Sequence, residues 1–157
     1  MININLNKYK TFIFDCDGVI LNSNKIKSTS FRDITKKFGI KKSDKFYKYH
    51  IENGGVSRNE KFKYFVNNIL KINDEKLIKS LISEYSNKIY GSLLKCEVSN
   101  CLDQLKKKFN LNEWIVLTGG NENEVKNIFR KKQIFHFKRK NIYGSPNKIW
   151  EQCHNTR

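Results

Sequence analysis

Acidic side chains are scarce in this 157-residue sequence. Only 15 Asp and Glu residues stand against 31 Lys and Arg, which gives a formal net charge of +16. Such an excess of positive charge attracts polyanions and anionic substrates. No nucleic-acid recognition motif accompanies it, however, and the lysines are spread along stretches with a helical pattern. A solvated basic surface is therefore the preferred interpretation over specific nucleic-acid binding, and a general attraction for phosphorylated small molecules is compatible with it.

Several other common features are missing. The four cysteines include no Cys-x-x-Cys pair, and the three histidines do not cluster with them, which argues against a zinc site or a disulfide framework. The N-terminus has no signal-peptide pattern, and no apolar run approaches the ~20 residues that span a membrane. Internal repeats and low-complexity linkers are also absent from the sequence. We therefore expect a cytoplasmic protein with no membrane association.

Two carboxylates lie one residue apart where an apolar stretch ends. Residues 11–14 have the composition of a strand, Asp15 and Asp17 follow them, and Gly18 allows the chain to turn. Two carboxylates at this spacing can share one cation and still divide the chemistry. One can attack phosphorus, and the other can transfer a proton. The alternative is a polar strand end, which would be preferred for an isolated Asp-x-Asp.

Helical patterns dominate the next part of the chain. Apolar spacing predicts a helix around residues 25–38, ended by Gly39, and a shorter one around residues 44–51. Two further helices are predicted to begin at a capping box formed by Ser57 and Glu60, and at Asn73. Residues 21–94 are therefore predicted to form an all-helical insert.

Helix and strand patterns alternate after the insert. A helix is predicted around residues 102–109, a strand at 114–118, a helix from Asn121 and a short strand at 141–144. This alternation predicts an α/β fold with a parallel sheet. Such a sheet binds its ligand at the carboxyl ends of its strands. Asp15, Thr118 and Gly144 fall at those ends, so we expect them to converge on one crevice.

Three segments in this order resemble the motifs of the haloacid dehalogenase-like (HAD) hydrolases. Residues 11–19 are similar to the first motif. Residues 114–120 are similar to the second, an apolar strand ending in Thr or Ser, and residues 142–148 to the third, which supplies a Lys. The resemblance implies a Rossmann-like core at residues 1–20 and 95–157, with residues 21–94 as an alpha-helical (C1) cap. It further implies an Mg²⁺-dependent phosphatase acting on a small phosphomonoester such as a sugar phosphate or a phosphorylated acid.

The resemblance also implies roles for the residues of the core. Asp15 would be the nucleophile that forms an aspartyl-phosphate, and Asp17 the general acid and base, with both contributing to the Mg²⁺ site. Thr118 would donate a hydrogen bond to a phosphoryl oxygen. The backbone of Gly119 and Gly120 could approach the phosphate closely because no side chain intervenes.

Two further candidates are basic. Lys148 is the candidate for neutralising the phosphate, with Lys138 and Lys140 as alternatives nearby. Arg58 begins a helix of the insert, and its guanidinium could bind a carboxylate or second phosphate of the substrate. The alternative for Arg58 is a place in an exposed, capped loop.

The sequence departs from the family pattern after the third motif. A fourth motif, Gly-Asp followed by another acid, is expected there, but Glu151 is the only acid after Lys148. We therefore expect a missing metal ligand, an incomplete core, and an exposed edge at strand 11–14 that favours self-association. A truncated or frame-shifted, catalytically impaired chain, or an interaction module, is the main alternative. A sugar-phosphate mutase is the second.

Overall fold

The computed structural model describes residues 5–146. The fold is α/β, as the sequence predicts, with helices flanking a parallel sheet. The helices and strands of the described part follow one another in this order: β1 (Thr11–Phe14), α1 (Asn24–Thr35), α2 (Ile40–Glu52), α3 (Arg58–Tyr64), α4 (Glu75–Lys95), α5 (Leu102–Lys108), β2 (Glu113–Asn121), α6 (Glu122–Lys131) and β3 (Ile142–Ser145).

The sheet has the order β1-β2-β3 and is parallel throughout. Phe14 pairs with Val116, and Leu117 pairs with Tyr143. Because parallel strands end at the same edge, the turn after β1 and the end of β2 lie side by side. β1 is an edge strand of this three-stranded sheet, and its Ile13 is 65% exposed. Self-association through this edge stays a prediction.

Aromatic packing fixes β1 against its neighbour. Alternate residues of a strand point to the same face, and Phe12 and Phe14 share the covered face of the sheet. The Phe14 ring lies 4.7 Å from Trp114 and 5.4 Å from Phe137. Phe12 makes an edge contact with Phe109 at 5.2 Å. These contacts hold the strand end from which Asp15 projects.

The helices between residues 24 and 95 pack around a second aromatic cluster. Phe31 of α1 stacks on Tyr85 of α4 at 4.2 Å and contacts Phe46 and Phe62 at 5.7 and 5.3 Å. All four side chains are at most 3% exposed. Each ring comes from a different helix, so burial of the four rings in one cluster fixes how α1 to α4 pack against one another.

The ends of these helices can be compared with their predicted signals. Gly39 ends the first helical segment with φ +108°, and the Ser57 hydroxyl accepts the Glu60 N–H at 3.3 Å, so both predictions are confirmed. The predicted cap at Asn73 is wrong by one residue. Asp74 caps α4 instead, and its carboxylate accepts the Leu77 N–H at 2.9 Å. The predicted helix at residues 44–51 is longer, since α2 begins directly after Gly39.

The chain enters and leaves the helical segment along adjacent paths. The Asn22 N–H donates to the Glu97 carbonyl at 3.0 Å, and the Ser99 N–H donates to the Ile20 carbonyl at 2.9 Å. This antiparallel contact ties the two crossings together beside the turn after β1. The division into a core and a cap stays a prediction. Within residues 5–146, no helix combines the length and apolar character needed to cross a membrane.

Candidate active site

The turn after β1 depends on a glycine. Gly18 has φ +77°, and its N–H donates to the Leu21 carbonyl at 2.8 Å. A Cβ at this position would displace the end of the Asn24 side chain. Because the left-handed conformation disfavours a side chain, Gly18 suits the turn that presents Asp15 and Asp17 at the strand end.

Asp15 lies at the mouth of this turn. Its Oδ1 accepts the Cys16 N–H at 2.6 Å. Loss of hydration raises the pKa of Asp15, and the negative charge of Asp17 adds to the rise, whereas the Cys16 N–H acts in the opposite direction. A cation or hydrogen-bond donor that binds beside Asp15 would therefore stabilise its ionised form.

Asp17 is held by two donors from the start of α1. Ser23 Oγ donates to Asp17 Oδ1 at 2.6 Å, and Lys27 Nζ donates to Asp17 Oδ2 at 2.6 Å. The Lys27 and Asp17 side chains are only 13% and 21% exposed. Sequence reasoning missed Lys27. The signal that could have found it is its spacing of four residues from Ser23, which places both side chains on one face of the helix.

The end of β2 lies beside the turn after β1 and contributes to the same cavity. Gly119 and Gly120 line the same cavity as Asp15 and Asp17. Thr118 is 1% exposed, and its hydroxyl oxygen accepts the Gly120 N–H at 3.1 Å. A Cβ on Gly120 would lie 3.3 Å from Thr118 Oγ1 and 3.4 Å from Lys27 Nζ. The absence of a side chain there thus leaves space close to a hydroxyl and an ammonium group.

The cavity has a volume of about 480 Å³. The core contributes its carboxylates and glycines, and the helices between residues 24 and 95 contribute most of the remaining wall. The side chains from those helices that matter for its chemistry are Lys27, Ser28, Phe31, His50, Arg58 and Lys61. The cavity therefore lies between the sheet edge and the helical segment.

The lysines predicted for the third motif do not complete this site in the described part of the chain. Lys148 lies outside the described residues. Lys138 and Lys140 are exposed and are not among the described residues that line the cavity, whereas Lys27 and Lys61 are. The lysines that line this cavity come from helices much earlier in the chain, and the third-motif role of Lys148, Lys138 or Lys140 stays a prediction.

Arg58 lines the cavity but is bound to the core. Its guanidinium donates to Glu124 Oε1 at 2.7 Å and Oε2 at 3.0 Å, and to Ser86 Oγ at 2.7 Å. The Tyr85 ring centroid lies 5.2 Å from its Cζ. The Arg58 and Glu124 side chains are 8% and 11% exposed, so Arg58 is buried and does not belong to an exposed loop.

A second buried polar group faces the cavity from α2 and α3. Lys61 is 3% exposed, and its Nζ lies 2.9 Å from His50 Nδ1. His50 Nε2 lies 3.0 Å from Ser28 Oγ. Burial lowers the pKa of Lys61 to about 8, and it lowers the pKa of His50 to about 4. Near pH 7 the imidazole is therefore neutral, and Lys61 donates to Nδ1 while Nε2–H donates to Ser28.

The acidic groups present fit a magnesium ion in part. Within residues 5–146, no group of three or more His, Cys, Asp or Glu side chains lies close enough to hold a metal. The turn after β1 nevertheless presents two carboxylates. Mg²⁺ commonly binds through one or two carboxylates and keeps several waters, so Asp15 and Asp17 are the described residues that could hold such an ion.

Sequence comparison assigns the family. A family model described as haloacid dehalogenase-like hydrolase matches residues 9–148. This chain belongs to the haloacid dehalogenase-like hydrolases. The match covers both carboxylates, the end of β2 and the segment resembling the third motif, so the predicted family is confirmed. No curated protein gives a significant sequence match.

Solved structures of HAD-like proteins share the fold. A protein from Bacteroides fragilis assigned as a haloacid dehalogenase-like hydrolase is 17% identical with a TM-score of 0.65, over 93% of this chain and 71% of that chain. A predicted phosphoglycolate phosphatase from Haemophilus somnus is 16% identical with a TM-score of 0.61, over 96% and 73%. A protein from Clostridium difficile assigned as a phosphatase is 19% identical with a TM-score of 0.54, over 87% and 61%. At these identities the likeness shows the fold alone.

Proposed function

We propose that this HAD-like hydrolase is an Mg²⁺-dependent phosphatase that hydrolyses a small phosphomonoester through Asp15. The observation that carries the proposal is the meeting of Asp15 and Asp17 with Gly119, Gly120 and Lys27 around one cavity. Two carboxylates beside a glycine backbone and an ammonium group suit a phosphoryl group, which needs a nucleophile on one side and donors for its oxygens. Names of the structural neighbours agree, since two of them are assigned as phosphatases.

The two carboxylates would divide the reaction between them. An oxygen of Asp15 attacks phosphorus, and the bond to the substrate's bridging oxygen breaks as Asp17, protonated by the water of the preceding turnover, delivers its proton to that oxygen. Asp17 then removes a proton from water, which attacks the phosphorus of the aspartyl-phosphate and restores the Asp15 carboxylate. Without substrate, Ser23 and Lys27 hold Asp17 in one orientation, and the contact at the oxygen that carries the proton would have to open during turnover.

Mg²⁺ would be held by Asp15 and Asp17. When bound, it would reduce the repulsion between the Asp15 carboxylate and the anionic phosphate. The carboxylate of Asp15 is accessible at the cavity, whereas both oxygens of Asp17 already accept hydrogen bonds from Ser23 and Lys27. Asp15 would therefore be the principal side-chain ligand.

The donors around Gly120 would receive the phosphate oxygens. The Lys27 ammonium and the Thr118 hydroxyl both lie within 3.4 Å of the point where a Cβ on Gly120 would be, and Gly119 offers backbone without a side chain. Lys27 therefore takes over part of the neutralising role for which Lys148 is the candidate, and the role of Lys148 stays a prediction. Substrate charge would be balanced mainly from α1.

The helical segment would act as a cap. Its residues line the cavity, and limiting the entry of water there would strengthen electrostatic interactions within the site. Arg58 could bind a substrate anion only by exchanging its Glu124 partner for the ligand. The cytoplasmic location also stays a prediction.

An activity screen tests this proposal. The 157-residue chain should hydrolyse p-nitrophenyl phosphate and sugar phosphates with Mg²⁺, and it should lose this activity in EDTA. Asp15→Asn and Asp17→Asn should each abolish turnover, while Asp103→Asn, at an 80% exposed side chain, should not. Metal-independent turnover would contradict the proposal, and so would turnover that survives Asp15→Asn. Interconversion of sugar-phosphate isomers would instead identify a mutase, and a folded but inactive chain would favour the impaired-remnant or interaction-module alternative.

A further inference from the structure

Of the described cations that line the cavity, Lys61 is the one whose positive charge is not paired with a carboxylate. Lys27 is paired with the Asp17 carboxylate, and Arg58 is paired with the Glu124 carboxylate. Among residues 5–146, no carboxylate forms an ion pair with Lys61, whose polar partner is the neutral ring of His50. At 3% exposure, Lys61 also has little access to water. An ammonium group buried in this way is costly unless an anion offsets it.

The surroundings of Lys61 orient its charge. His50 accepts from Lys61 through Nδ1 and is itself fixed by Ser28 through Nε2 and by the Phe31 ring, whose centroid lies 4.5 Å away. The same Phe31 ring lies 5.6 Å from Lys61 Nζ. One of the three ammonium protons is directed to His50, and the side chain borders the cavity. The remaining protons are therefore available for a ligand on the helical side.

The core already offers one place for an anion. The Asp15 turn and the Gly119–Gly120 backbone suit the phosphoryl group that reacts. Lys61 belongs to α3, in the part of the wall that the helices supply. A ligand that binds both at the Asp15 turn and at Lys61 needs two anionic groups. A cavity of about 480 Å³ has room for a small molecule of that kind.

We propose that Lys61, oriented by His50, binds a second anionic group of the substrate, either a carboxylate or a second phosphoryl group. The substrate class is then a small phosphomonoester with a further negative charge. This inference rests on the proposed function for the reacting end, but the binding it describes does not require turnover. A purely structural lysine, held by His50 and by packing on Phe31, is the competing explanation.

The charge of Lys61 supports selection of such a ligand. Burial and the nearby charge of Lys27 lower the pKa of Lys61 to about 8, and Asp17 acts in the opposite direction. A bound anion would favour the protonated form, so binding of the second anionic group is expected to weaken as the pH rises through about 8. His50 stays neutral across that range, because its own pKa is lowered to about 4.

Matched substrate pairs test the proposal. The pairs are 2-phosphoglycolate against ethyl phosphate, which differ by a carboxylate, and glucose 1,6-bisphosphate against glucose 1-phosphate, which differ by a phosphoryl group. Lys61→Met should raise KM for the doubly anionic member of the preferred pair by about tenfold or more, with little change for its singly anionic partner. Lys63→Met, at an exposed position of the same helix, is the control and should change neither.

Each outcome separates the explanations. Selectivity within the first pair identifies a carboxylate, and selectivity within the second identifies a phosphoryl group. Equal effects of Lys61→Met on both members of each pair, or no preference in the unsubstituted chain, would overturn the proposal. If Lys61→Met does not fold, the unsubstituted chain is assayed from about pH 7 to about pH 9, where the preference for the doubly anionic member should decline. A constant preference would overturn the proposal.

Failure of the proposed function would be visible separately. If no compound is hydrolysed, calorimetric titration of the same four compounds reports binding alone. Selective weakening of the doubly anionic ligand by Lys61→Met would then support the subsite and reject the phosphatase. If Lys61→Met weakens the binding of neither ligand, or of both ligands equally, the subsite would be rejected.

Discussion

Arg58 and Glu124 join the helical segment to the core through a buried, bidentate ion pair. The two guanidinium–carboxylate distances are 2.7 and 3.0 Å, and the residues are 66 positions apart in the sequence. Arg58 begins α3, whereas Glu124 lies in the first turn of α6. The pair therefore fixes the wall that carries Lys61 relative to the wall that carries Gly120.

Breaking this pair should destabilise the protein. Glu124→Gln would leave the buried Arg58 charge without its carboxylate, and a loss of about 3 kcal/mol in the free energy of unfolding is expected. Urea unfolding of Glu124→Gln, Arg58→Met and the double variant would measure the coupling. Glu84→Gln, which removes the partner of the half-exposed Lys37, should cost less than about 1 kcal/mol. Strictly additive effects at residues 58 and 124 would argue against a stabilising pair.

Lys27 should matter for turnover. It holds Asp17 in place and lies beside the space at Gly120, so Lys27→Met removes both a positioning contact and a phosphate donor. A fall in kcat of about 100-fold is expected, with partial recovery in Lys27→Arg. Steady-state kinetics on one sugar phosphate would measure both. Lys25→Met, at an exposed position of the same helix, is the control, and an equal effect there would remove the special role of Lys27.

His50 should make the protein sensitive to acid. Its pKa is lowered from 6.5 to about 4, so between these values the unfolded chain binds more protons than the folded one. Stability is then complete above about pH 6.5 and falls as the pH drops towards 4, by up to about 3 kcal/mol. The charged or polar groups around the ring are Ser28, Lys61, Lys27 and Asp17. Urea unfolding between these pH values should show a free energy of unfolding that depends less on pH in His50→Gln than in the unsubstituted chain. Identical slopes would contradict His50 as the source of the acid sensitivity.

Local sequence patterns predicted the parts of the site that strand ends bring together. Asp15 follows β1, and Gly119 and Gly120 end the adjacent parallel strand, so the topology alone places them at one edge. The sequence does not distinguish Asn73 from Asp74 as the helix cap, because both residue types are good caps and the two residues are adjacent in the chain. Such errors shift an element by one residue and leave the fold unchanged.

The helical wall of the cavity was not predictable in the same way. Lys61 meets His50 because α2 and α3 pack around Phe31, and Arg58 meets Glu124 across 66 residues. No periodicity in the sequence encodes these contacts, since each depends on how separate helices are arranged in space. Lys27 could be predicted only in part. Its spacing from Ser23 can be read from the sequence, but its contact with Asp17 depends on the turn at Gly18.

Covalent trapping at Asp15 tests the central claim most directly. The chain would be mixed with Mg²⁺ and a hydrolysed phosphomonoester, quenched rapidly, treated with borohydride and mapped by mass spectrometry. Reduction of an aspartyl-phosphate leaves homoserine at the modified position. The account predicts homoserine at residue 15 alone, and none in Asp15→Asn. Modification of another residue, or undiminished turnover with Asp15 unmodified, would contradict it.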